Sequence, residues 1–294
     1  MEKSPWKTSK VILNQENKQL IEEFLLMMKL SNRSLQTIYS YKLWLQTFFA
    51  DELRAFDQLS SEDIYEKLIP YIDGKNVASS RRRLSILSSF YTFCIQEEHL
   101  STSPIKKRWY PKIPQPLPKY LDKETISKTR FQSESMPLRD QTLVELFLAT
   151  GCRVGELHLL NIEEVNLETR TARVIGKGRK IRYVHFTDRC ALLLEKYLAS
   201  RRDDSPALFV SRYLKRLSIR GMQHVIEKIG EEAGLDFRLH PHRFRHTFAT
   251  ELLAKGADLA FISEELGHSN LATTQIYARL PKREIVSMYR KFMG

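Results

Sequence analysis

The chain has 294 residues and a formal net charge of +12, with 47 Lys and Arg against 35 Asp and Glu. Hydrophobic residues at 42% and charged residues at 28% exclude a compositionally disordered polymer, and the length suggests about two domains. The basic balance favours a polyanionic partner, nucleic acid first, although a soluble basic protein with nothing bound has the same composition.

The first predicted domain covers residues 14–103 and reads as a bundle of four short helices. In IEEFLLMMKL, Ile21, Phe24, Leu25 and Met28 recur at helical spacing. A second helix runs through SLQTIYSYKLWLQTFFADE, with Ser34 as its N-cap and Ile38, Tyr41, Leu45 and Phe48 on one face. A third, SEDIYEKLIPYI, is expected to break near Pro70, because proline lacks the backbone donor. The fourth, VASSRRRLSILSSFYTFCIQEEH, carries Leu84, Leu87, Tyr91 and Cys94 on its apolar face. Arg81, Arg82 and Arg83 sit near its start. They are candidate phosphate contacts beside Ser79 and Ser80, with a solvated charged face as the equal alternative.

Residues 104–118 contain Pro104, Pro111, Pro114, Pro116 and Pro118, which no regular helix accommodates. An extended strap of roughly 3 Å per residue is expected there, about 45 Å at full stretch. Lys106, Lys107, Arg108 and Lys112 make it basic, so it suits closure around a polyanion as well as serving as an ordinary linker.

The second predicted domain, residues 119–294, is mixed. LDKETISKTR opens a helix capped by Asp122, with Glu124 in its first turn. LRDQTLVELFLATG is another, stopped by Gly151. TARVIG and KIRYVHF alternate as strands around GKGR and form a hairpin. The remainder is helical, with Pro241 starting one helix, Gly256 ending it and Gly267 ending the next. The fold class is therefore mainly α with a small β-sheet: an N-terminal helical bundle followed by an α+β domain.

Five short motifs then occur in one order. ATGCRVGELHLLNIEEVNL holds Arg153 and Glu156, VIGKGRKIR holds Lys177, and LHPHRFRHTFATELLAKGAD holds His242 and Arg245. ISEELGHSN holds His268, and ATTQIYARL holds Tyr277. Arginine suits phosphoryl chemistry because its planar fork binds a phosphate bidentately and stays charged. Such donors stabilise the charge that builds on non-bridging oxygens. Glu156 lies one helical turn from Arg153 and is expected to orient it. His242 and Arg245 share a helix face, which favours them over their neighbours Arg243 and His246. A phenol with a pKa near 10 needs a base, and His242 is the candidate.

The set of five motifs closely resembles the tyrosine recombinase (phage integrase) family, its Xer-like branch, over residues 119–285 and more loosely over the N-terminal helices. The resemblance implies a SAM-like core-binding domain joined to a tyrosine recombinase catalytic domain. It also implies a site of Arg153, Lys177, His242, Arg245, His268 and the nucleophile Tyr277, supported by Glu156. In that site the arginines clamp the scissile phosphate and His268 donates to a non-bridging oxygen. Lys177 is the general acid for the 5′ oxygen, preferred over Lys180 because it stands between Gly176 and Gly178 as in the family. Arg179, Arg182, Arg212, Lys215 and Arg216 are read as DNA-backbone contacts or plain surface, with Arg179 the foremost DNA contact beside Arg81–Arg83, Lys106 and Lys107.

The implied activity is site-specific cleavage and rejoining of double-stranded DNA at an inverted-repeat site, through a 3′-phosphotyrosine and a Holliday junction. The two domains would clamp the duplex. Ile285, Tyr289 and Phe292 recur at helical spacing in the tail. By resemblance this helix docks on a neighbouring protomer of a synaptic tetramer, with docking on its own domain as the alternative. Dimer resolution and mobile-element integration or resolution both fit, and an accessory protein is left open. A type IB topoisomerase and a DNA-binding regulator with a vestigial site are the rival classes. Cys94, Cys152 and Cys190 form no CxxC pair, and neither metal-ligand spacing nor a phosphate-cradling P-loop occurs, so no metal or cofactor is expected. No signal peptide or spanning apolar run is legible, and the chain reads as cytoplasmic.

Overall fold

The computed structural model describes residues 5–8, 10–112, 118–267 and 274. The chain divides into two compact units, Met1–Gln115 and Pro116–Gly294. Each has its own apolar core.

The first unit contains α1 (Gln15–Leu30), α2 (Leu35–Phe48), α3 (Ser61–Ile72) and α4 (Val77–Gln96). Each starts at a side-chain cap, from Asn14, Ser34, Ser60 and Asn76 in turn. The predicted apolar faces meet inside, where Phe24, Leu25, Ile38, Leu45, Phe48, Leu84, Leu87, Phe90, Tyr91 and Cys94 are all buried. Phe90 packs edge-on against Phe24 at 5.7 Å and Phe49 at 5.6 Å between ring centroids. Asn17, fully buried, donates to Arg54 O and accepts from Phe56 N, so its polar atoms are satisfied.

Three sequence expectations need correction here. First, α3 runs through Pro70 to Ile72. The missing donor falls in the last turn, two residues before the helix ends, where one lost hydrogen bond is tolerated. Second, the unit begins before residue 14, because Ile12 is buried in the core with Trp6 packed against it. Third, the proline-rich segment is not an extended strap over its described part. Ile105 is buried in the first unit's core, Lys107–Trp109 forms a 3-10 helix, and Ser61 Oγ donates to Pro104 O at 2.8 Å. Trp109 and Tyr110 supply the apolar surface that holds it. Residues 113–117 lie outside the described residues.

The second unit comprises α5 (Lys123–Glu134), α6 (Leu138–Thr150), α7 (Val154–Leu159), α8 (Asp188–Ser200), α9 (Ile219–Glu232), α10 (Pro241–Ala254) and α11 (Leu259–Leu266). A three-stranded antiparallel sheet, β1 (Val165–Asn166), β2 (Thr171–Ile175) and β3 (Ile181–His185), has the order β1-β2-β3. The predicted hairpin is β2–β3, and β1 is an addition too short to show a strand pattern. Helix α6 is buried nearly all round, with Leu143, Val144, Leu146, Phe147 and Leu148 in the core and the polar Asp140, Thr142, Glu145 and Thr150 buried beside them. Its buried Glu145 is held by Arg130 through two hydrogen bonds of 2.9 and 2.7 Å. Gly151 ends α6 with φ of +58°, and Gly267 ends α11 with φ of +62°. Among the described residues no helix is long and apolar enough to cross a membrane, and no group of three or more His, Cys, Asp or Glu is placed to hold a metal ion.

Candidate active site

The site forms where the α6–α7 junction, the turn end of the β2–β3 hairpin, the start of α10 and the end of α11 meet. A cleft of roughly 410 Å³ opens there, lined by Arg153, Glu156, Gly176, His242 and Arg245 with Cys152, Val154, Gly155, Leu159, Ile175 and Pro241.

Arg153 stands at the N-cap of α7. Its Nη1 donates to Glu156 Oε1 at 2.8 Å, and its backbone N donates to Glu156 Oε2 at 2.8 Å. Arg245, on the second turn of α10, is buried and donates from Nη1 to Gly151 O at 2.9 Å and from Nη2 to Leu266 O at 2.6 Å. Arg153 reaches the same turn, with Nη1 3.4 Å from Leu266 O and Nη2 3.5 Å from Gly267 O. The negative end of the α11 dipole thus gathers guanidinium groups. This partly offsets the repulsion between two cations held beside one cleft.

Glu156 is buried and accepts hydrogen bonds from both Arg153 and Arg182. Burial alone would raise its pKa. Arg182, then Arg153, outweigh that effect and lower it, so the carboxylate stays ionised. His242 sits in the first turn of α10 at the cleft mouth. Partial burial, then the charges of Arg245 and Arg153, lower its pKa below 6.5. It is therefore neutral at pH 7 and able to accept a proton. Cys152 also lines the cleft, but burial pushes its thiol up to about 12, which keeps it protonated and a poor nucleophile.

The structure brings Arg153, Glu156, His242 and Arg245 together. Lys177 begins a 3-10 turn, Lys177–Arg179, next to the cleft residue Gly176, and its side chain is not among the described groups. His268 and Tyr277 lie outside the described residues, as do Ile285, Tyr289 and Phe292. Arg243 turns away from the cleft and stacks over Phe237 at 3.8 Å, in keeping with the preference for Arg245.

Several expected DNA contacts have other partners. Arg182 is no surface residue: it fastens both oxygens of Glu156 at 2.9 Å. Strand parity carried the signal. Arg182 pairs with buried Val174 and lies on the same β3 face as buried Val184, whereas Ile181 and Tyr183 face out. Arg216 donates to His158 O, Leu160 O and Asn161 Oδ1, tying a loop internally. Arg212 lies over Tyr213 at 4.7 Å. In the first unit Arg83 donates to Tyr71 O and stacks over Trp44 at 5.2 Å, while Arg82 donates to Ser40 Oγ and Arg81 is exposed. Lys107 and Arg179 are exposed, and Lys106 lies 3.5 Å from Glu62.

Residues 119–284 match the Phage integrase family, and residues 21–98 match its N-terminal SAM-like domain. The chain belongs to the phage integrase family. Tyrosine recombinase XerC of Leptospira interrogans serogroup Icterohaemorrhagiae serovar copenhageni is 33% identical over 88% of this chain and 88% of its own length. Tyrosine recombinase XerD of Staphylococcus epidermidis is 33% identical over 93% of this chain and 98% of its own. Among solved structures, the XerH site-specific recombinase bound to its difH substrate, in a pre-cleavage complex, has the same fold. Its TM-score is 0.70 at 22% identity, covering 99% of this chain and 92% of that one. The chain is accordingly a tyrosine recombinase, an enzyme of site-specific recombination built from a SAM-like N-terminal domain and an α+β catalytic domain.

Proposed function

We propose that this recombinase cleaves double-stranded DNA at an inverted-repeat site by attack of Tyr277 Oη on the scissile phosphorus. The bond to the 5′ oxygen breaks as the bond to Tyr277 forms, leaving a 3′-phosphotyrosine and a 5′ hydroxyl. His242 takes the phenolic proton, and Lys177 gives one to the departing oxygen. Arg153, Arg245 and His268 hold the non-bridging oxygens, where fixed donors lower the barrier most. Attack by the 5′ hydroxyl of a partner strand reverses the step and needs no outside energy, because the phosphate ester is kept in the phosphotyrosine. Two rounds of exchange in a tetramer pass through a Holliday junction, with the tail helix linking protomers.

The observation that carries this proposal is the cleft itself. Arg153, Arg245 and a histidine held neutral converge there, and among the described residues the cleft's one carboxylate, Glu156, is paired. Arg81, Arg82, Lys106, Lys107 and Arg179 are the proposed backbone contacts.

Covalent capture tests it. The protein is mixed with randomly nicked host DNA and denatured, and the attached fragments are sequenced beside a Tyr277→Phe control. Attachment at one short inverted repeat, absent from the control, is the expected result. Its location, in the chromosome or in a mobile element, then distinguishes dimer resolution from transfer of an element. Tight binding without Tyr277-dependent attachment would overturn the proposed mechanism. Relaxation of plasmids lacking any such site would turn it toward a topoisomerase.

A further inference from the structure

Arg182 enters the site from β3, where its partner across the hairpin is Val174. Its guanidinium makes three close connections, beside a longer 4.0 Å contact from Nη2 to Cys152 Sγ. Nη1 and Nη2 donate to Glu156 Oε1 and Oε2, each at 2.9 Å, in the parallel fork that is the strongest arginine–carboxylate geometry. Nε donates to Glu265 O at 3.0 Å, in the last turn of α11. The side chain is only 13% exposed.

The three segments so joined are those that carry proposed catalytic residues. Glu156 belongs to the turn of Arg153. The turn end of the hairpin holds Gly176, immediately before Lys177, and a β-carbon there would lie 3.3 Å from Glu156 Oε1 and 3.5 Å from Arg182 Nη1. Gly267 immediately precedes His268, and a β-carbon on it would come within 3.0 Å of Arg182 Cδ and Nη1. A side chain at Gly267 would therefore crowd Arg182, and Gly267 also takes a left-handed backbone, whereas Gly176 lies in ordinary contact with Arg182 and closer to Glu156.

The charges point the same way. Glu156 alone would cancel the charge of Arg153, and a neutralised pair is a weak anchor for a phosphate. Arg182 adds a second guanidinium and saturates both carboxylate oxygens. The Arg153–Glu156–Arg182 triad keeps a net positive charge, while Arg153 spends a single Nη1 bond on Glu156.

We infer that Arg182 is a positioning residue for strand cleavage: through Glu156 and the end of α11, it holds Arg153 oriented and charged toward the scissile phosphate. The inference rests on the recombinase mechanism proposed above and adds a residue to it.

The test uses the full-length protein and a nicked duplex carrying the site recovered by covalent capture. It is made once with a normal scissile phosphate and once with a neutral methylphosphonate there. Arg182→Met and Arg182→Lys are compared with wild type for half-site affinity, melting midpoint and the rate of covalent attachment. On phosphate, Arg182→Met is expected to slow attachment roughly tenfold or more, as loss of support for a transition-state donor. Half-site affinity should change little. Arg182→Lys, which keeps the charge without the fork, should fall between. On the methylphosphonate the penalty should largely disappear, since little charge then develops for Arg153 to meet. A merely structural role would slow both substrates equally, and that result overturns the inference, as does a wild-type rate in either variant. If Arg182→Met does not fold, the same substrate comparison on Arg182→Lys decides. Absence of Tyr277-dependent attachment in the wild-type protein would overturn the recombinase mechanism and this inference together.

Discussion

Glu156 carries a full negative charge inside the protein, and its two arginines make that tolerable. Removing one partner of such a buried group is far more damaging than the pair is worth in itself. Glu156→Gln leaves Arg182 without its counter-charge and is expected to cost about 3 kcal/mol, read as a lower midpoint in denaturant unfolding. His246 gives a pH dependence. Burial, then the positive charges of His242 and Arg245, lower its pKa to about 4. The unfolded chain takes the proton near 6.5 and the folded one does not until about 4, so acid favours unfolding within that window. The stability contributed by neutral His246 is complete above pH 6.5 and is lost as pH falls toward 4. Melting midpoints measured between pH 7 and 5 should fall, and fall less steeply in His246→Gln. At this scale the sequence was partly legible. The i to i+3 spacing placed His242 and Arg245 on one face, and the cleft uses both. Arg182 was misread because a basic residue beside a glycine-rich turn has the same composition whether it faces out or in. Only strand parity distinguishes the two.

Among the elements, helix ends set the geometry of the site. Gly151 closes α6 in the left-handed conformation, and its carbonyl receives Arg245 Nη1. A β-carbon at Gly151 would stand 2.7 Å from Phe248 Cδ1. Gly151→Ala should therefore cost at least about 1 kcal/mol from backbone strain alone. The rate of covalent attachment should fall with it as Arg245 shifts. Unchanged stability and rate would show that the junction relaxes freely. Caps and glycine stops were readable in advance, since Ser34, Asp122, Gly151 and Gly267 act as their residue types dictate. Pro70 was not, because a proline's effect depends on how many turns follow it, and here almost none do. Nor was the packing of residues 104–112: Ile105 and Trp109 are isolated apolar residues whose partners lie far away in sequence.

For the molecule as a whole, the charge of +12 is the feature with a direct consequence. Binding to duplex DNA releases counterions, so the logarithm of the binding constant should fall linearly with the logarithm of salt concentration, with a slope of about −0.9 per phosphate contacted. Six or more contacts would weaken binding about a thousandfold between roughly 50 and 200 mM salt. Arg81→Ala and Lys107→Ala should each reduce the slope by about one without lowering the melting midpoint, since both side chains are exposed. A flat salt response in a filter or fluorescence titration would remove the backbone contacts proposed for both units.

The sequence by itself determined the family, the helical bundle and the mixed second unit, and it set out in order the residues proposed for the site, from Arg153 to Tyr277. Those follow from local periodicity, capping chemistry and motif order, which need no knowledge of distant neighbours. Only the tertiary structure decided what each charged side chain faces. The carbonyls of Gly151, Glu265, Leu266 and Gly267 become arginine acceptors because the start of α10, β3 and the end of α11 come together at the α6–α7 junction. A backbone oxygen has no residue-specific signature. Its partners are set by which helix ends meet, and long-range packing of the core settles that.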